Sequence, residues 1–250
     1  MEWHPDWFYL GREGFIEKVR SSSKHLAEEL DLWALATLEN NDNNRCGRRK
    51  RRRAVMSAGK KPHGAGRSTF EFVDLEQVLQ AFSLTPQTVF LDLGCGAGNY
   101  TIPVAQAIGP LGRVYGVDAW QEGLDELKSR AAAKGLHNIE TIHADLNEHI
   151  PVGDGKIDVC FMATVLHDLL RNDSGEKVLR EIDRVLKPGG RLSIIEFKKV
   201  EDGPGPPQSV RLSPEQTEKV VAPIGFTKDR VIELGPFHYM LIALSARQRS

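Results

Sequence analysis

One stretch, Val89-Phe90-Leu91-Asp92-Leu93-Gly94-Cys95-Gly96-Ala97-Gly98-Asn99, constrains this chain more than any other. A short apolar run of residues suited to a buried strand ends in three glycines, each separated by one residue. The next segment, Tyr100 to Ile108, reads as a helix closed by Gly109 and Pro110. Strand, glycine loop and helix form the first unit of an open α/β sheet, and such sheets bind ligands beyond the carboxyl ends of their strands. A dinucleotide fingerprint needs G-x-G-x-x-G, with a pyrophosphate resting on the helix N-terminus. Here the third glycine arrives one residue early, and Asp92 stands two residues before the first. Tight strand-to-helix turns also use glycine for steric reasons alone, so the rest of the chain has to decide the ligand.

After this unit the chain alternates. Val114–Asp118 is predicted as a second strand, Gln121–Lys134 as a helix ended by Gly135, and Ile139–His143 as a third strand. Ile157–Met162 is a fourth, followed by a helix from about Ser174 to Leu186 that stops at Lys187-Pro188-Gly189-Gly190, and Arg191–Phe197 is a fifth. Strands alternating with helices imply a parallel sheet with helices on both faces. The tail changes rhythm: Ser213-Pro214-Glu215-Gln216 is a capping box, and runs near 230–234 and 239–244 are separated by too few residues for a helical crossover. The last two strands should therefore form an antiparallel hairpin.

Upstream, Asp74-Leu75-Glu76-Gln77 starts a helix through Phe82 that precedes the opening strand, so residues 72–250 are expected to form the domain. Residues 1–71 read as a variable extension, with an amphipathic helix over 24–39 and a basic linker containing Arg48-Arg49-Lys50-Arg51-Arg52-Arg53. That run is read as a solvated linker rather than a nucleic-acid arm, because no aromatic platform accompanies it and the net charge of the chain is −1. With 40% hydrophobic and 27% charged residues over 250 positions, one domain with an appendage is expected. Three cysteines without pattern, no apolar run of transmembrane length and no leader-like start point to a reducing, cytoplasmic setting without a membrane span.

The polar residues at the strand ends suggest the chemistry. Asp118 ends the second strand, 24 residues after Gly94, where a carboxylate can accept from both hydroxyls of a ribose; the alternative for it is a helix cap. Asp145 ends the third strand, where it can accept from an adenine amino group or serve as a turn residue. His167 and Asp168 follow the fourth strand, and Glu196 lies at the end of the fifth. Together with His238 these are the candidates for a general base, His167 having as its plain alternative a packed, backbone-bonded histidine. No spacing of His, Cys, Asp or Glu suggests a metal.

Leu91-Asp92-Leu93-Gly94-Cys95-Gly96-Ala97-Gly98, Val117-Asp118, Ala144-Asp145-Leu146, Val165-Leu166-His167-Asp168-Leu169 and Leu186-Lys187-Pro188-Gly189-Gly190 together resemble class I S-adenosylmethionine-dependent methyltransferases, over nearly all of residues 72–245. The resemblance implies a Rossmann-like, mostly parallel sheet of seven strands with helices on both faces, its last strand inserted antiparallel beside the fifth. It implies S-adenosyl-L-methionine as cofactor and methyl transfer to a small-molecule acceptor. Gly94, Gly96 and Gly98 would line the methionine part, Asp118 would hold the ribose, and Asp145 and Leu146 the adenine. Asp92, Cys95, Ala119 and Met162 complete the implied cofactor set, and His167, Glu196 and Asp168 the catalytic one. The Val165–Leu169 segment and the closing Gly235-Pro236-Phe237-His238-Tyr239 look similar to small bacterial members related to quinone and arsenite methyltransferases. Arsenite would need several thiols, and Cys95 and Cys160 fall in a cofactor loop and a core strand.

Two other classes compete. A nicotinamide-dependent Rossmann oxidoreductase is disfavoured by the short glycine spacing and by the lack of a serine, tyrosine and lysine catalytic set. A non-catalytic S-adenosylmethionine-binding protein would keep the fold without an acceptor pocket. The methyl acceptor and the oligomeric state are not legible in the sequence.

Overall fold

The structure, a computed structural model, describes residues 69–201 and 204–247. The chain divides into two units, 1–60 and 61–250, and the described residues belong to the second. The expected helix over 24–39 and the basic run at 48–53 lie outside the described residues.

Seven strands form one sheet: β1 (Val89–Leu93), β2 (Arg113–Asp118), β3 (Ile139–His143), β4 (Ile157–Ala163), β5 (Leu186–Phe197), β6 (Phe226–Leu234) and β7 (His238–Ser245). Their order is β3-β2-β1-β4-β5-β7-β6. The first five are parallel, and β7 lies antiparallel between β5 and β6. The helices are α1 (Leu75–Phe82), α2 (Thr101–Ile108), α3 (Gln121–Ala133), α4 (Leu166–Arg171), α5 (Gly175–Val185) and α6 (Pro214–Val221). The order reverses at β1 and β4, so the crevice between their carboxyl ends is the switch point at which such sheets bind ligands.

Local chemistry explains the element ends. The Asp74 carboxylate accepts from the Glu76 and Gln77 backbone N–H groups and caps α1, while Gln77 reaches out to the Glu233 carbonyl instead of closing the box. Ser213 and Gln216 close a full capping box on α6, with Pro214 in the first turn.

Alternation along β1, β4, β5 and β7 sorts the core into two layers. One layer joins Leu91, Leu93, Cys160, Met162, Leu192, Ile194, Tyr239 and Leu241 to Leu166, Leu169, Val178, Leu179, Ile182 and Val185 of α4 and α5. On the other face Phe82 meets Phe90 and Phe161 edge to face at 5.1 and 5.0 Å, and Tyr100 meets Phe161 at 5.0 Å. These rings fasten α1 and the start of α2 to the sheet beside the glycine loop. Truncating a fully buried ring such as Phe82 to alanine costs about 3–5 kcal/mol.

The elements differ from the sequence expectation in several places, β6 among them, which begins at Phe226 rather than near residue 230. Helix α5 ends at Val185, and the strand begins at once with Leu186 rather than at Arg191. Leu186 pairs with Ile157 before the register shifts, so the Pro-Gly-Gly segment is a bulge within β5; Gly189 has φ +73 there. Helix α4, six residues long, is absent from the sequence reading. Thr69 and Phe70, just before the expected start of the domain, lie against Tyr100: Thr69 is buried and its hydroxyl shares a 2.7 Å hydrogen bond with that of Tyr100, and the Phe70 ring meets it edge to face.

Candidate functional site

The glycine loop crosses the carboxyl end of β1 with Gly94, Gly96 and Gly98 all at positive φ (+74, +52 and +79). A Cβ on Gly94 would strike Val165 at 2.8 Å and one on Gly98 would strike Leu127 at 2.3 Å, whereas one on Gly96 would project into open space. The outer two glycines are therefore required by packing, and the middle one leaves bare backbone facing a cleft. That cleft encloses about 230 Å³ and opens to solvent on one side. Its walls include Asp92, Gly94, Cys95, Gly96, Asn99, Tyr100, Trp120, Arg130, Ala163 and Thr164.

Asp92 sits at the bottom, 3% exposed, and accepts a 2.6 Å hydrogen bond from Thr101. Burial raises its pKa to about 7; the Thr101 bond works against this and the negative charge of Asp118 adds to it. Cys95 lines the cleft as a buried thiol, and burial pushes its pKa far above the usual range, so it is inert. Asp118 ties two segments together: Oδ2 accepts from Gly96 N at 2.8 Å and Oδ1 from Trp120 N at 2.7 Å. Each oxygen keeps a lone pair free of these bonds, so the loop-bracing role leaves room for ligand hydroxyls. Ala119 follows Asp118, and its carbonyl pairs with the His143 ring at 3.0 Å.

Asp145 is exposed beyond β3, its Oδ1 taken by Asn147 N and Nδ2 at 2.9 and 2.7 Å; Leu146 packs half-buried against the core. Met162 corrects the sequence expectation. It is 0% exposed among the α4–α5 layer, because alternation along β4 turns it away from the cleft, and Ala163 and Thr164 line the cleft instead. Thr164 holds φ +54, a strained conformation for a β-branched residue, fixed by its N–H bond to the Ile195 carbonyl at 2.7 Å.

His167 and Glu196 meet. Glu196, 0% exposed, accepts from the His167 backbone N–H at 3.1 Å, from His167 Nδ1 at 2.9 Å and from Phe197 N at 3.3 Å. The carboxylate is thus enclosed and cannot itself reach an acceptor; it positions His167 and the first turn of α4. Burial disfavours the His167 cation, but the Glu196 hydrogen bond and charge outweigh this, so its pKa is raised. Asp168 lies 3.8 Å from His167 Nε2 and 3.6 Å from Arg171.

The sequence reading missed Arg130, Trp120 and Tyr100. Arg130 Nη1 donates to the Ala97 carbonyl at 2.6 Å and to Asn99 Oδ1 at 3.0 Å, clamping the glycine loop from α3 across 33 and 31 residues of sequence. No local pattern announces such a bond. Trp120 lies over Gly123, where a Cβ would come within 2.3 Å of the indole, and this presents a flat wall next to Asp118.

A cradle of bare glycine backbone, a buried acid below it and a carboxylate at the end of β2 fit a ligand that joins a cationic amino-acid part to a nucleoside. Residues 90–190 match the family described as "Methyltransferase domain". The chain is similar to the solved structure of an S-adenosylmethionine-dependent methyltransferase from Aquifex aeolicus, with 32% identity and a TM-score of 0.65, covering 71% of this chain and 92% of that one. It is also 37% identical over 106 residues to a demethylmenaquinone methyltransferase from Geobacillus stearothermophilus, covering 42% of this chain and 44% of that one. A demethylmenaquinone methyltransferase from Listeria monocytogenes is 33% identical over 121 residues, covering 48% and 49%. The chain therefore spans about half the length of the curated relatives it matches. It belongs to the S-adenosylmethionine-dependent methyltransferases, and S-adenosylmethionine is the cofactor this family membership brings. Among the described residues no helix is long and apolar enough to cross a membrane, and no group of three His, Cys, Asp or Glu could hold a metal ion.

Proposed function

We propose that this chain transfers a methyl group from S-adenosylmethionine to a small-molecule acceptor. The open space above Gly96, between the buried Asp92 and the carboxylate of Asp118, carries this reading. Bound there, the cofactor supplies a methyl group already activated by its positive sulfur. With the cofactor bound there, the residues of the chain would be left to place the acceptor atom in line and to take its proton.

The residues of the chain have three tasks. Gly94, Gly96 and Gly98 let the backbone approach the amino-acid part, and Asp92 faces its positive charge. Asp118 takes the ribose hydroxyls, with Ala119 and Trp120 beside it and Asp145 and Leu146 toward the base. His167, held by Glu196 and next to Asp168, lies where β4 leaves the sheet and is the candidate to take the acceptor's proton. The remaining work is in-line placement and exclusion of water.

The names of the relatives make a demethylmenaquinol the first acceptor to try. The test is calorimetric titration with S-adenosylmethionine and, separately, with NAD, followed by transfer of labelled methyl to demethylmenaquinol and to a metabolite extract. Cofactor binding with turnover supports the proposal. Binding without transfer to any component of the extract would leave a cofactor-binding protein, and NAD binding alone would overturn it.

A further inference from the structure

His238 opens β7 at the sheet edge that carries the cleft. Strand β5 runs toward that edge and β7 runs back from it, so His238 pairs with Phe197, the last residue of β5, and with Leu234, the last of β6. Alternation places His238 and Phe197 on the face of Phe161 and Asp92, while Glu196 and Tyr239 point to the opposite face. The His238 ring is 0% exposed, and neither Nδ1 nor Nε2 has a hydrogen-bond partner among the described residues. Native interiors seldom leave two polar atoms of one side chain unsatisfied, and such groups point to a use outside packing.

The surroundings of the ring are aromatic. Phe197 lies 4.6 Å from it, centroid to centroid, and Phe72 lies 6.2 Å away at an interplanar angle of 32°. Phe72 belongs to the single turn Phe70–Phe72 and is 46% exposed, so a half-exposed ring lies on the solvent side of the imidazole. The same turn borders the cofactor cleft, through Thr69 in its wall and through Phe70 packed edge to face on Tyr100 at 5.5 Å. Burial first, then the charges of Arg211 and Lys198, pull the His238 pKa down to about 4. At neutral pH the ring therefore offers one N–H donor and one bare acceptor nitrogen. Arg211 and Lys198 are themselves engaged, Arg211 with the carbonyls of Pro204, Pro206, Lys198 and Val200, and Lys198 with Glu233 and the Gly235 carbonyl.

We propose that His238 binds the methyl acceptor, and that the acceptor is a planar aromatic molecule bearing a hydroxyl group, which displaces Phe72, stacks on Phe197 and hydrogen-bonds the imidazole. The proposal rests on the methyl-transfer reading above and adds the residue of this chain that selects the acceptor.

The full chain, saturated with S-adenosylhomocysteine, is titrated with 1-naphthol and with naphthalene while the ¹³C–¹H signals of the histidine rings are followed. The expected result is that 1-naphthol moves the His238 signal and binds more tightly than naphthalene. In His238→Phe, which keeps a planar ring and loses no hydrogen bond among the described residues, 1-naphthol affinity should fall at least tenfold with naphthalene and S-adenosylhomocysteine affinity unchanged. Phe72→Ala uncovers the ring without touching the core and should raise 1-naphthol affinity, an arm that stands even if the His238 variant does not fold. Binding of S-adenosylhomocysteine with an unmoved His238 signal overturns the proposal alone. So does equal 1-naphthol affinity in wild type and either variant. No S-adenosylhomocysteine binding overturns the methyl-transfer reading and this proposal with it.

Discussion

Thr101 donates a 2.6 Å hydrogen bond to the Asp92 carboxylate beneath the glycine loop, so the first turn of α2 is fastened to the strand that feeds the cleft. The bond offsets only part of the desolvation: the Asp92 pKa stands at about 7 against a usual 3.8. For an acid whose folded value lies above its unfolded one, the folded state binds more protons between the two, and stability falls as pH rises across that window. The gap corresponds to about 4 kcal/mol once pH exceeds both values. Asp92→Asn keeps an acceptor for Thr101 and removes the charge, so its thermal midpoint should exceed that of wild type by an amount that grows from pH 4 to pH 7. A cationic cofactor favours the carboxylate, so binding near pH 7 should release a proton in wild type and none in Asp92→Asn. Calorimetry in two buffers of different ionisation enthalpy reads this directly, and equal proton release in both proteins would contradict it.

Asp118→Ala should weaken S-adenosylmethionine binding at least tenfold. It removes the brace on Gly96 N as well as the ribose partner, and each charge-assisted bond is worth about 1.5–3 kcal/mol. Gly96→Val should bind more weakly still, because φ +52 suits no β-branched residue and its side chain would fill the cleft. Titration calorimetry showing wild-type affinity in both variants would remove the cofactor assignment for the glycine cleft.

The sheet was legible because β1, β2, β4 and the second half of β5 are short runs rich in apolar residues that closely follow glycine or proline, because β3 alternates as Ile139-Glu140-Thr141-Ile142-His143, and because four residues between two runs admit only a hairpin. Met162 was misplaced for the same reason: β4 is buried on both faces, so apolar character alone cannot say which side a residue takes. Helix α4 has too few residues to display a period, and Pro188-Gly189-Gly190 signals a turn where the structure has a bulge. Within the site, the positive φ of Gly94, Gly96 and Gly98 is a local backbone property that the residue type itself announces. The Arg130 clamp and the His167–Glu196 pair depend on contacts across about 30 residues, which no window contains.

A chain beginning at Met56 is predicted to fold, to bind S-adenosylmethionine and to keep its activity. Every residue assigned to the cofactor lies on or beyond β1, and the turn at Phe70–Phe72 and helix α1 are retained with their contacts to Tyr100, Phe90 and Phe161. Thermal midpoint and cofactor affinity are compared with those of the full chain. A drop of more than several degrees, or lost binding, would assign residues 1–55 to the domain.

The last prediction separates positioning from structure at His167. Glu196→Gln places an amide N–H group against three donors, His167 N, His167 Nδ1 and Phe197 N, and should cost about 1–3 kcal/mol of stability. Both Glu196→Gln and His167→Asn should lower methyl transfer while cofactor affinity stays within twofold, because neither residue is among those assigned to the cofactor. The pH dependence carries its own sign. The folded pKa of His167 is raised above its usual 6.5, so the ion pair stabilises fully below that value and the contribution is lost as pH rises through the folded value. The stability difference between wild type and His167→Asn should therefore be largest below about pH 6 and shrink toward pH 9, with the titrations of Asp92 and His238 cancelling in the subtraction. A difference that is flat with pH would mean that the imidazole is neutral against Glu196 throughout. It would then be bound as a packed histidine, with no proton to exchange with an acceptor.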